Sequence, residues 1–278
     1  MNSFSYTLIE NISSIFGKKK KKINITKRQK FAVGVMSLSI LLFISELLLG
    51  KQAIYIVLFL SVLADLFLLW ALRNDLRDNF SLQIFILPFL FTISFGLFYL
   101  LVPARFLARI FMTSLYAVGI YSLFLSQNIF VVSSIRTIAL LSSARTVSFV
   151  ITLISFFFLT NVIFTLHLNV ILTILFLAIF SLPLILQSIW TYTLDRGIKE
   201  DFVWGLLLTL CLSEITLLLW FWPSNPTMIA LFLAGFFYII VGLSHVWFEK
   251  RLFKGVLWEY IWVAVVVFTV LVAFTSWT

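Results

Sequence analysis

Asp65 and Glu214 each sit near the middle of a long apolar run, Asp65 with Ser61 one turn before it and Glu214 with Ser213 and Thr216 beside it. A third carboxylate, Glu46, lies close to the end of another such run. Ionisable groups surrounded by apolar residues are costly, and they normally face a partner, a cavity or a substrate route. Desolvation favours the protonated form of an unpaired carboxyl, so Asp65 or Glu214 suits proton carriage during a transport cycle. The competing reading is a neutral or paired group that joins helices by hydrogen bonds. Arg105 and Arg109 stand one turn apart at the head of a further apolar run, and Thr113 and Tyr116 continue them at three- and four-residue steps. That spacing lays a polar stripe on one helix face. Two guanidinium forks can take a phosphate or carboxylate in bidentate fashion, but Glu46 is an acid at similar depth in the same chain, and a structural pair with it is the favoured reading.

The elements that must position these groups follow from composition. Of 278 residues, 62% are hydrophobic and 11% charged, and the mean hydropathy is +1.13, more than a soluble domain of this length can bury. The expected fold is an all-α polytopic bundle of nine crossing helices, because each apolar segment approaches the roughly 20 residues that about 30 Å of hydrocarbon requires. The segments are Phe31–Leu49, Ala53–Leu72, Ile84–Leu101, Phe106–Leu125, Thr146–Leu166, Asn169–Trp190, Phe202–Trp222, Met228–Val246 and Val256–Trp277. Continuous runs exclude an outer-membrane barrel, whose strands alternate apolar and polar residues. Residues 1–30 form a separate cytoplasmic arm and 31–278 a single membrane domain. Pro88 and Pro183 are expected to kink the third and sixth helices, and Ala230 and Ala234 to let the eighth pack closely on a neighbour.

Orientation rests on the basic residues. If the amino terminus is cytoplasmic, seventeen of the twenty lysines and arginines fall in inner gaps, leaving only Lys51, Arg105 and Arg109 outside. That asymmetry predicts the amino terminus in and the carboxyl terminus out. All nine tryptophans lie near helix ends, where indole prefers the interface. In the arm, Phe4, Leu8, Ile12, Ile15 and Phe16 recur at helical spacing before Lys18, Lys19, Lys20, Lys21 and Lys22, which suits a short helix on the anionic inner leaflet or a tail whose lysines set topology. A cleaved signal peptide is not expected. Asn128–Arg145 carries no glycine or proline to mark a turn, and a crossing over Ile129–Phe149 would bury Arg136 and Arg145. The segment therefore reads as an inner-face interfacial stretch, with Thr165, His167 and Asn169 as the next outer hairpin tip.

Several activities are excluded or unsupported. Topology accounts for most of the net charge of +9, so nucleic-acid binding has no support. Cys211 is the sole cysteine, and His167 and His245 are placed at opposite faces, so no multi-histidine metal site and no cofactor is expected. No lysine lies within a crossing to hold retinal, and no glycine-rich phosphate loop occurs. Ser133-Ser134-Ile135-Arg136-Thr137 is echoed by Ser142-Ser143-Ala144-Arg145-Thr146. On one continuous helix these copies face opposite ways, so they share an anion site only if the segment bends.

The block Asn128-Ile129-Phe130-Val131, Arg136-Thr137-Ile138-Ala139-Leu140, Ala144-Arg145-Thr146-Val147 and Leu159-Thr160-Asn161-Val162-Ile163-Phe164 resembles uncharacterised multi-pass membrane proteins of small-genome bacteria. The resemblance covers about forty residues, implies a bacterial inner-membrane protein, and carries over no functional residue. The expected function is passage or flipping of a small or lipid-linked solute, with Asp65 and Glu214 along the route and Arg105 and Arg109 at its outer mouth. The alternative is a scaffold or assembly subunit, with membrane-protein partners or copies of itself. An intramembrane enzyme acting on a polyprenyl phosphate ranks third, without an aspartate-rich metal motif to support it.

Overall fold

Lys27 reaches across the start of the bundle to Asp75 at 2.6 Å, and Lys30 lies over the Trp70 ring at 4.9 Å, so the first two helices are tied at their charged ends. The computed structural model describes residues 26–48, 53–73, 75 and 76, 81–103, 105–133, 139–194 and 198–275. Among them are nine helices: α1 Lys27–Leu48, α2 Ala53–Leu72, α3 Gln83–Tyr99, α4 Phe106–Ser133, α5 Leu141–Thr165, α6 Val170–Thr193, α7 Ile198–Trp220, α8 Pro226–Phe248 and α9 Lys254–Ala273. All nine are long and apolar enough to cross a membrane. The arm residues Lys18 to Lys22 lie outside the described residues.

α3 and α5 form the centre. α5 touches α3, α4, α6 and α8, and α3 touches α2, α4, α5 and α6. α1 closes one flank against α2 and α4, α7 closes the other against α6 and α8, and α9 lies chiefly on α8. Lipid tails are as apolar as leucine, so helix association here depends on close packing and polar bonds rather than on escape from water. Rings supply much of that packing: Phe98 stacks on Phe158 at 4.2 Å, Phe95 meets Phe158 edge-on at 5.4 Å, and Phe156 stacks on Phe237 at 4.5 Å. Ala230 is fully buried, and Gly235 brings α8 still closer to α9.

Most hydroxyls within the helices satisfy themselves. Ser61, Thr152, Ser155, Thr209 and Thr216 each donate to a carbonyl three or four residues earlier, which removes the penalty of burying them without recruiting another helix. Pro88 and Pro183 lie inside α3 and α6, each of which is one continuous element. Asn169, expected at a hairpin tip, is the N-cap of α6 and accepts from the Leu172 amide at 2.9 Å. Asn169→Ala should cost about 1 kcal/mol, the usual loss for such a cap. A thermal melt of the purified chain reads this, and an unchanged midpoint would count against the cap.

The helix bounds around Asn128–Arg145 differ from those expected. α4 continues through Asn128 to Ser133, and α5 already begins at Leu141, so Arg145 lies in a helix. Phe130 and Val131 are buried, which is why the helix extends beyond the segment that hydropathy alone delimits. The number of crossings is unchanged. Of the first copy of the Ser-Arg-Thr repeat only Ser133, the last residue of α4, is described, while the second, Ser142 to Thr146, lies in the first turns of α5.

Candidate functional site

Three helix ends converge on Arg145. Its side chain projects from the second turn of α5, donates from Nε to the Thr191 carbonyl at 2.9 Å and from Nη2 to the Tyr192 carbonyl at 3.2 Å, and reaches Glu249 at the end of α8 at 3.6 Å. The last carbonyls of α6 have no partner within their own helix, and that helix end carries partial negative charge, so a guanidinium is well suited to hold it. The cap matters because α6 ends at Leu194 with φ 46°, a left-handed conformation that a side-chain-bearing residue adopts at some cost. The guanidinium also lies 4.7 Å over the Tyr192 ring, a cation–π contact.

Tyr192 in turn stacks on His245 of α8 at 4.0 Å, and Phe149 of α5 meets the same imidazole edge-on at 4.9 Å. His245 Nε2 and the Ser188 hydroxyl of α6 are 3.0 Å apart. Immediately before Ser188, Gln187 donates to Ser148 of α5 at 3.4 Å, while its Oε1 has no hydrogen-bond partner. On α4, both side-chain polar atoms of fully buried Gln127 and the Asn128 Oδ1 are also unpartnered. Phe130 meets Trp190 edge-on at 6.2 Å, and Gln127 and Gln187 are each three residues before those rings, on α4 and α6.

Leaving a buried amide unsatisfied costs about 1–3 kcal/mol per group, and native cores keep few such groups. This half-satisfied set at the end of α4, α5, α6 and α8 is the strongest chemical anomaly in the bundle. Nothing in the sequence spacing brings Arg145, Ser188, Tyr192, His245 and Glu249 together. The available signal was an arginine and a histidine placed just inside apolar runs.

The residues singled out by sequence are dispersed. Asp65 is half-buried on α2, and its Oδ1 has no hydrogen-bond partner. Glu214 is exposed on α7, on the opposite flank of the bundle. The two carboxylates do not line one route, because α2 packs on α1 and α3 whereas α7 packs on α6 and α8. Arg105 is exposed. Arg109 is half-buried with its Nε unpartnered, and Tyr99 donates to its carbonyl at 3.4 Å. Further along the same stripe, Tyr116 is fully buried, stacks on Phe91 at 5.8 Å and shares a hydrogen bond with Thr92 at 3.2 Å. The Glu46 side chain, and with it the expected pair with the arginines, lies outside the described residues.

Two of the hollows among the described residues are of note. An apolar groove of about 300 Å³ runs between α4 and α5 over Phe91 and Phe95, lined by Leu115, Val118, Val147 and Val150, with Ser122 and Thr146 also on its walls. At the far end of the bundle, a crevice of about 210 Å³ is lined by His167, Trp220, Trp222 and Ser224. It is braced by the Trp220 indole, which donates to the Leu168 carbonyl at 3.1 Å, and by Trp222, which donates to Thr275 at 2.8 Å.

Among the described residues nine helices are long and apolar enough to cross a membrane, the pattern of a multi-pass membrane protein. The chain belongs to the family described as "Protein of unknown function (DUF5656)", which it matches over residues 35–274. The match covers far more of the chain than the forty residues of the resemblance, and the two agree in carrying no assigned activity. No curated protein and no solved structure matches the chain.

Proposed function

We propose that this protein passes or flips a small or lipid-linked solute, and that it binds the solute's polar part at Gln127, Asn128 and Gln187. The observation that carries this reading is the set of buried amide atoms without partners on α4 and α6. Amide oxygens and N–H groups suit an uncharged polar or hydroxylated group, since each donates or accepts without imposing a charge. The apolar groove between α4 and α5 supports the lipid-linked form, because it offers a chain-shaped surface inside the hydrocarbon layer. Asp65, with an unpartnered oxygen, stays a candidate proton carrier in the same cycle, and Arg109 a candidate contact near the other face.

In the accompanying orientation the Arg145 end faces the cytoplasm of a bacterial inner membrane, with Lys18 to Lys22 on anionic lipid. The charge asymmetry of the loops supports that placement.

Liposomes reconstituted with the chain test the proposal. Stopped-flow swelling with small polyols reads solute passage, and dithionite quenching of a fluorescent short-chain lipid reads flipping. One of the two rates should exceed that of empty liposomes and fall on the order of tenfold in Gln127→Leu/Gln187→Leu, the effect of losing one or two hydrogen bonds to the solute. Two background rates, or a rate unchanged in a folded double variant, would refute it. A pure scaffold gives the first of those results.

A further inference from the structure

Glu214 is the one exposed acid in the middle of a described helix that contributes nothing to its own bundle. It is exposed on α7 and makes no hydrogen bond or ion pair with a described residue. The polar side chains around it are accounted for: Thr209, Ser213 and Thr216 donate to carbonyls of the same helix. An exposed leucine at this depth needs no explanation, because lipid satisfies it. An exposed carboxyl does, because hydrocarbon offers it no hydrogen bond even when it is protonated.

The residues in register with Glu214 form a seam. Val203, Leu207, Leu210, Glu214, Leu217 and Phe221 follow one another at alternating steps of four and three, and all six are exposed. That is the repeat by which two helices pack at a small left-handed crossing angle, and it spans most of α7. The face is open because α7 packs on α6 and α8 with its other side.

We infer that α7 is a self-association surface on which two copies of this chain pair, Glu214 against Glu214. The occupant follows from the carboxyl. Two copies inserted in the same sense are related by a two-fold axis along the membrane normal, so a residue on that axis meets itself. A protonated carboxyl carries one donor and acceptor oxygens, which makes it self-complementary. A seam of leucines interrupted by one polar residue also fixes register, since sliding by a turn would return both carboxyls to hydrocarbon. This inference does not rest on solute passage, and the two can fail separately.

The test uses the full chain in liposomes at low protein-to-lipid ratio, in a Cys211→Ser background so that each introduced cysteine is unique. After copper–phenanthroline oxidation, Leu207→Cys, Leu210→Cys and Leu217→Cys should give a disulfide-linked dimer on a non-reducing gel. Thr209→Cys and Leu212→Cys, which face the bundle, and Val266→Cys, on the exposed side of α9, should not. Energy transfer between donor- and acceptor-labelled copies should persist in Glu214→Gln, which keeps a donor and an acceptor, and weaken about tenfold in Glu214→Leu. Equal cross-linking at Val266 would reduce the seam to random collision. No dimer at any seam position, association unaffected by Glu214→Leu, or a product in native membranes whose mass is not twice that of the chain would each overturn the inference.

Discussion

Arg145→Met should be the most destabilising single substitution at the charged end of the bundle. The variant keeps the length and apolar character of the side chain but removes both bonds to the final carbonyls of α6 and the partner of Glu249. A hydrogen bond from a charged donor is worth about 1.5–3 kcal/mol. The side chain is 18% exposed and Glu249 34%, so water recovers part of the loss and the ion pair adds little. The expected cost is therefore about 3 kcal/mol, dominated by the two carbonyls and the strained Leu194 they hold in place. Arg145→Lys should recover less than half of it, because an ammonium can meet Glu249 but cannot fork onto two carbonyls while lying flat on Tyr192. Unfolding in mixed detergent and SDS micelles measures both. A cost below about 1 kcal/mol for the methionine variant would mean that packing of Tyr192 on His245, not the guanidinium, holds the three helix ends together.

The second large effect separates two equally tight contacts. A Cβ added at Gly96 would lie 2.7 Å from both methyl carbons of Val57, and one added at Gly235 would lie 2.7 and 2.8 Å from those of Val267. A β-branched side chain has little rotamer freedom with which to move aside, so in each case a helix must shift. Gly96 sits between α3 and α2 in the buried core, where Val57 is 2% exposed, and Gly96→Leu should cost about 1–3 kcal/mol, the range for overpacking, or prevent folding. Gly235 faces α9, which leans chiefly on α8. Gly235→Leu should widen the distance between spin labels on α8 and α9 while leaving the unfolding midpoint of the rest nearly unchanged. A large loss of global stability in Gly235→Leu would mean that α9 belongs to the core.

The nine helices were legible because a bilayer forces the same period of length and charge on every crossing, and Ala53–Leu72 emerges with the expected bounds. The end of α4 was not legible. Its last eight residues carry glutamine, asparagine and serine beside buried Phe130 and Val131, so hydropathy stops at Leu125 while packing continues. Arg145 read as a topology charge for the same reason: the count of loop cations says on which side a residue stays, not what it touches. Its partners come from α6 and α8, and only the fold brings them within reach. The exposure of Glu214 was not legible because α7 is apolar on nearly every side, so the sequence holds no moment from which to tell the packed face from the open one. Asp65 and Glu214 looked alike in sequence; helix adjacency is what distinguishes them.

The interhelical hydrogen bonds described above fall into two sets. Lys27 to Asp75, Thr92 to Tyr116 and Tyr99 to Arg109 stay within residues 26–133. Those of Arg145, Gln187, Ser188, Trp220 and Trp222 stay within 139–275, as does the bond that Asn161 donates to Thr227 at 3.0 Å. What joins the sets is one continuous apolar core, in which Phe95 and Phe98 pack on Phe158 and Phe130 on Trp190. Dispersion is non-directional, so this join is made by shape and not by oriented bonds among those named. Gln127 and Gln187 stand one on each side of it.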